Sequence, residues 1–237
     1  MNKLAGALFT LVVGCGAQAQ QTDVPRTDTT AGSAGARPMA QVSFTFDRPG
    51  LAVPRFVLQV NEDGSAHYEA EQVFAAANGG DAPAPQHISR DLALSPATTA
   101  QIFSNARALN RFTVKCAAPA KNIADSGRKT LRYTGEGGDG MCEYNYSQDK
   151  RVMQLTDLFE GIGFTLDMGR TLEFHHRFDR LGLDAATASL VEAVEAGRAV
   201  EIGTIAATLR SIAQDSEVME RVRLRAAKLL ERAQPAA

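Results

Sequence analysis

The chain has 237 residues, 44% of them hydrophobic, with no tryptophan and a formal net charge of −2 at pH 7. That length can bury one sizeable core, or one core plus a helical appendage. With 25 basic against 27 acidic residues, the charge balance argues against nucleic acid as the main partner.

Met1-Asn2-Lys3 sets a positive charge before an apolar run from Leu4 to Val13, and small residues follow. This is the pattern of an export signal, too short to span a bilayer permanently. Two processing routes fit it. Ala17-Gln18-Ala19 supplies small residues at the signal-peptidase subsites, which makes 1–19 a signal peptide. Val12-Val13-Gly14-Cys15 resembles a lipobox, in which Cys15 would be lipidated and kept as the new N-terminus. Either route predicts an exported protein of the periplasm or cell envelope, or a secreted one, with a lipid anchor on the second route. Residues 20–40 are Gln, Thr, Ala, Gly and Pro with scattered charge, a composition that predicts a disordered tether. No later stretch is apolar and long enough to predict a transmembrane helix. Export removes or lipidates Cys15 and leaves Cys116 and Cys142 as a pair in an oxidising compartment, so a disulfide is expected.

Val42, Phe44 and Phe46 alternate with polar residues, which predicts a half-buried strand. Phe56, Leu58 and Val60 precede Asn61 and Asp63-Gly64, and Ala66, Tyr68 and Ala70 follow, which predicts a hairpin. Residues 75–86 read as a loop, and Ile88 to Leu94 as a short strand. Ser95-Pro96 announces a helix with Ser95 as N-cap, whose face carries Ile102, Phe103, Ala106 and Leu109. Leu155, Leu158, Phe159, Ile162 and Leu166 mark a further helix toward Phe178, with a break possible at Gly161, Gly163 or Gly169. Three helices are expected after that: one capped by Asp184 and ending near Gly197, one over Val200 to Ala213, and one capped by Asp215 or Ser216 and ending near Ala233. "LRSIAQDSEVMERVRLRAAKLL" has the look of one HEAT-type unit, but no second copy accompanies it. The expected fold is α+β: a small antiparallel sheet of hairpins packed by two helices over 41–180, then an all-helical segment over 181–237.

"KTLRYTGEGGDGMCEYNYS" contains a literal G-x-G-x-x-G at Gly135, Gly137 and Gly140. A dinucleotide fingerprint needs a helix after the glycines, and "MCEYNYS" has strand character instead. "SGRKT" is no phosphate loop either, since Asn122 stands where the first glycine is required. A six-residue loop from Gly135 to Gly140 would set Tyr133 opposite Cys142, Arg132 opposite Glu143 and Leu131 opposite Tyr144. Cys142 is then expected to point inward with Leu131, Tyr133 and Tyr144.

"LQVNEDGSAHYE", "LSPATTAQIFSNARALNRF", "KNIADSGRKTLRYTG", "CEYNY" and "FDRLGLD" cover much of Arg55 to Leu230. On these stretches the chain resembles a family of uncharacterised exported bacterial proteins, of the kind found in acidobacteria. The resemblance implies an α+β domain of unknown function in an exported protein. It carries no catalytic residues.

Candidate chemistry is sparse. In "EFHHRFD", His175 and Asp179 are four apart and His176 and Asp179 three apart, so one His with Asp179 could share a metal. Adjacent histidines diverge by about 100° around a helix, and no third ligand of fixed spacing follows, so no metal site and no cofactor is expected. Asp63 in "NEDGS" falls short of a calcium loop. Arg221, Arg225, Lys228 and Arg232 form a basic stripe, which reads as a solvated helix face or as a surface for an anionic partner. The expected function is a non-catalytic envelope module that binds a protein or other envelope component. The alternatives are an exported metal-dependent hydrolase using His175 or His176 with Asp179, and an inhibitor of an exported hydrolase.

Overall fold

The computed structural model describes residues 39–74, 82–119 and 124–233. The expected export signal, Cys15 and most of the expected tether lie outside them, as do residues 75–81 of the expected loop. The described residues belong to one compact unit.

Six strands form one antiparallel sheet: β1 (Gln41–Asp47), β2 (Arg55–Asn61), β3 (Ser65–Gln72), β4 (Gln86–Ala93), β5 (Arg128–Thr134) and β6 (Gly140–Tyr144). Their order is β4-β3-β2-β1-β5-β6, so β4 and β6 are the two edges. The period of two legible in the sequence becomes alternate burial along β1, β2 and β5. Phe44, Leu58, Val60, Tyr68, Leu131 and Tyr133 point inward and are almost fully buried. The Asp63-Gly64 turn forms as expected: Gly64 takes φ +88°, and the Asp63 carboxylate accepts from the Ser65 N–H at 2.9 Å. Asp63 is thus a turn residue.

Helix α1 (Pro96–Ala108) starts at Ser95, whose hydroxyl accepts from the Thr98 N–H at 3.3 Å. Helix α2 (Lys150–Phe178) is one unbroken helix of 29 residues, about 43 Å long. Asp149 caps it by accepting from the Arg151 N–H at 2.7 Å. Its apolar side lies on the sheet: Phe159 stacks on Phe44 with centroids 5.0 Å apart and planes 4° off parallel. The glycines that threatened a break are contact points instead. A Cβ on Gly169 would lie 2.5 Å from Ile205 Cγ2, so the lack of a side chain lets the following segment cross α2 closely.

The helical segment comprises α3 (Gly182–Glu195), a 3-10 turn (Ile202–Ile205), α4 (Ala206–Gln214) and α5 (Glu220–Ala233). Asp184 sits in the first turn of α3 and not at its cap. There it accepts from Arg221 and Arg225 of α5, both at 2.7 Å, and these cations hold its carboxyl below the usual carboxylate range. Asp215 closes the turn before α5, accepting from the Glu217 N–H at 2.9 Å. Glu201 reaches back across 106 residues to the start of α1, accepting from the Ser95 N–H at 3.0 Å and the Ser95 hydroxyl at 2.6 Å. This carboxylate at a helix N-terminus joins the helical segment to the sheet layer.

The glycine-rich stretch is a hairpin with a five-residue loop, Gly135 to Asp139, and the loop leads into β6 and not into a helix. Leu131 faces Cys142 and Tyr133 faces Gly140. The expected register is therefore two residues out. Because two is one full pleat period, the faces are unchanged, and Cys142, Leu131, Tyr133 and Tyr144 are all buried on the core side.

Candidate functional site

Cys116 and Cys142 are bonded, with Cα atoms 5.8 Å apart. The bond ties the segment after α1 to β6. Just before it, Asn110, Arg111 and Phe112 form a left-handed turn with φ of 49°, 54° and 62°, a conformation that costs about 1–2 kcal/mol per non-glycine residue. The Arg111 carbonyl presses on Gly140 so closely that a Cβ there would sit 2.0 Å from it. Beyond the bond, the Ala118 N–H donates to the Tyr146 carbonyl at 2.9 Å. The β6 edge is covered.

The histidines do not converge. His175 Nδ1 meets Asp179 Oδ2 at 3.1 Å, whereas His176 Nε2 meets Asp215 Oδ2 at 2.8 Å, across the junction to α5. Asp215 also faces Arg180 at 3.4 Å, and the Glu217 N–H and His176 hold its carboxyl low. Among the described residues no group of three His, Cys, Asp or Glu is placed to hold a metal ion. In the basic stripe, Arg221 and Arg225 are engaged with Asp184, and Arg232 lies 3.9 Å from Glu195.

One arrangement was not legible in the sequence. On the outer face of β3 and β4, His67 Nδ1 meets Asp91 Oδ1 at 2.6 Å, and its Nε2 meets Ser89 Oγ at 3.3 Å. The order of contacts is that of a Ser-His-Asp relay. Glu69 Oε1, however, also lies 3.4 Å from Nε2. The hydrogen bond with Asp91 raises the imidazole's pKa, with Glu69 adding to the effect. Nε2 is thus shared between the Ser89 hydroxyl and the Glu69 carboxylate, and a ring that donates to Glu69 there cannot also take the Ser89 proton. Asp91 is moreover 93% exposed, so the array lacks the burial that strengthens such a relay.

The larger feature lies beside β4. A groove of about 880 Å³ runs between the ends of β3 and β4 and the C-terminal turns of α2. Its exposed apolar lining is Phe74, Phe174 and Phe178, which are 40%, 57% and 66% exposed, with buried Ile88 beneath. Phe174 and Phe178 are four residues apart on one face of α2 with centroids 5.4 Å apart, and the Arg177 guanidinium lies 5.1 Å from the Phe178 centroid. The groove wall is fixed by polar contacts. Arg90 of β4 donates to Glu173 at 3.0 Å, Glu173 accepts from Thr208 at 2.8 Å, and Arg170 bridges Gln72 and Asp167. Behind it, burial pushes the Tyr68 phenol up to about 12. Among the described residues no strand pairs with the outer edge of β4. Among the described residues, a strand edge without a pairing strand therefore stands beside exposed aromatic rings, the combination that strand-adding recognition uses.

No protein-family description and no curated protein matches the chain. No helix among the described residues is long and apolar enough to cross a membrane.

Proposed function

We propose that this protein is an exported, non-catalytic interaction module of the cell envelope, which binds a polypeptide partner at the groove between β4 and α2. The observation that carries the reading is the β4 edge, unpaired among the described residues, beside Phe74, Phe174 and Phe178. An exposed aromatic cluster on a polar surface supports a binding role, and an edge strand supports a protein as the ligand. Export is supported by the charged start and apolar run of residues 1–13, and by a disulfide of the kind that persists in oxidising compartments. Of the metal-hydrolase alternative, His175 does meet Asp179 at 3.1 Å while His176 turns to Asp215, and no third His, Cys, Asp or Glu joins either pair among the described residues. Affinity capture from the native envelope tests the reading. Wild-type protein is expected to retain a polypeptide that the Phe174→Asp/Phe178→Asp variant does not, with both folded. Equal retention by the two, or none by either, would overturn it.

A further inference from the structure

The β4 edge carries a chemical pattern that matches itself. Resting on the reading above, we infer that the polypeptide seated at this edge is a second copy of the chain, paired antiparallel through β4 about a two-fold axis at Ser89.

Two copies of one strand that pair antiparallel with matching faces must set residues of equal parity opposite each other. Centring the axis on Ser89 pairs Gln86–Leu92 over their whole length. His87 then lies opposite Asp91 of the second copy, twice, on the outer face, and Ile88 lies opposite Arg90 on the inner face. His87 is exposed, and Asp91, although its Oδ1 is engaged by His67 at 2.6 Å, keeps a side chain that is 93% exposed and can also meet His87 of the second copy. The neighbouring centres are worse. An axis at Arg90 sets two arginines directly opposite, and one at Asp91 sets two carboxylates opposite, both destabilising arrangements. An axis at Ile88 moves Asp91 past the end of the strand, opposite Pro85. Asp91, a carboxylate that would discourage pairing with an arbitrary strand, thus finds an imidazole opposite it in one self-register.

The surroundings agree. In this arrangement both sheets present their helix layers on the same side, so the two grooves adjoin across the axis and Phe174 and Phe178 of each copy lose solvent. Such an interface is isologous and closes on itself. Extension into a filament would need the other edge, and β6 is covered by the Arg111 turn and the Cys116 segment.

Sedimentation of the purified protein over a range of concentrations tests this, with three outcomes expected. Wild type should run at twice the 25.3 kDa chain mass, or twice the mass of its processed form. His87→Asp, which sets carboxylates opposite each other at two places, should weaken the dimer about tenfold or more while leaving the thermal midpoint of the monomer unchanged. Adding Asp91→Lys to His87→Asp should restore opposite charges and recover the dimer. A monomer at every concentration, or a dimer indifferent to His87→Asp, or one not recovered by the double change, would overturn the inference. A monomer that still captures an envelope polypeptide through Phe174 and Phe178 would do so while leaving the binding reading standing.

Discussion

The two edges of the sheet are treated in opposite ways. At β6, the left-handed Arg111 turn, the Cys116–Cys142 bond and the Ala118–Tyr146 hydrogen bond lay a constrained segment against a five-residue strand. At β4, an eight-residue strand has no such cover among the described residues, and a groove with exposed aromatic rings runs along it. An uncovered edge is a hazard that folded proteins blunt. Here one edge is sealed by covalent and steric constraint, whereas the other is the edge at which we propose a partner strand pairs. On the proposed reading, stability is concentrated on one side of the molecule and recognition on the other.

The contrast is broken most severely by removing the staple. Cys116→Ala/Cys142→Ala opens a loop across a separation of 26 residues. It should cost ~3 kcal/mol in urea unfolding on the chain-entropy account. Hydrogen exchange of the Gly140–Tyr144 amides should rise with it, and exchange along β4 should not. Alkaline titration gives the next effect. Tyr68, beside β4, is held as a neutral phenol up to about 12 against an ordinary value of 10.0. Above pH 10 the unfolded chain releases this proton and the native state keeps it, so stability is intact below the unfolded value and is lost as pH rises through the folded one. Tyr68 should account for about 2–3 kcal/mol of that loss, absent in Tyr68→Phe. Tyr144 of β6 shifts the same way through burial, despite its 2.6 Å hydrogen bond with Thr156.

Smaller effects sharpen the comparison. Gly140→Ala puts a methyl group into the Arg111 carbonyl and should cost about 2 kcal/mol in the same unfolding assay. Phe174→Asp, at a ring that is 57% exposed, should change stability by no more than about 0.5 kcal/mol while abolishing partner capture. Equal destabilisation by the two would erase the division between a structural edge and a recognition edge.

Much of the scaffold was legible because its signals are local. Alternation set the inward faces of β1, β2 and β5, Asp63-Gly64 marked the turn, Ser95-Pro96 marked the start of α1, and export logic paired the cysteines. The β5–β6 register was not legible in full. Registers two residues apart preserve the same faces, and the choice depends on Arg111 packing against Gly137 and Gly140 from more than twenty positions away. The continuity of α2 was hidden for a related reason, since glycine's low helix propensity is local and the close approach of Ile205 to Gly169 is tertiary. The divergence of His175 and His176 was legible from helix geometry, but the partner of His176, Asp215, lies 39 residues beyond it and was not. The groove assembles ends of β3, β4 and α2. Its one sequence signal is Phe174 and Phe178 at four-residue spacing beside charged neighbours, an apolar pair on a face otherwise solvated.

The most direct test places a photoreactive phenylalanine at one edge and then at the other, in the native envelope. Phe174, on the β4 side, and Tyr146, just past β6 and 43% exposed, are matched positions for it. The account predicts a discrete polypeptide adduct from position 174 and none from position 146. Adducts from 146 alone, or the same adducts from both, would contradict it.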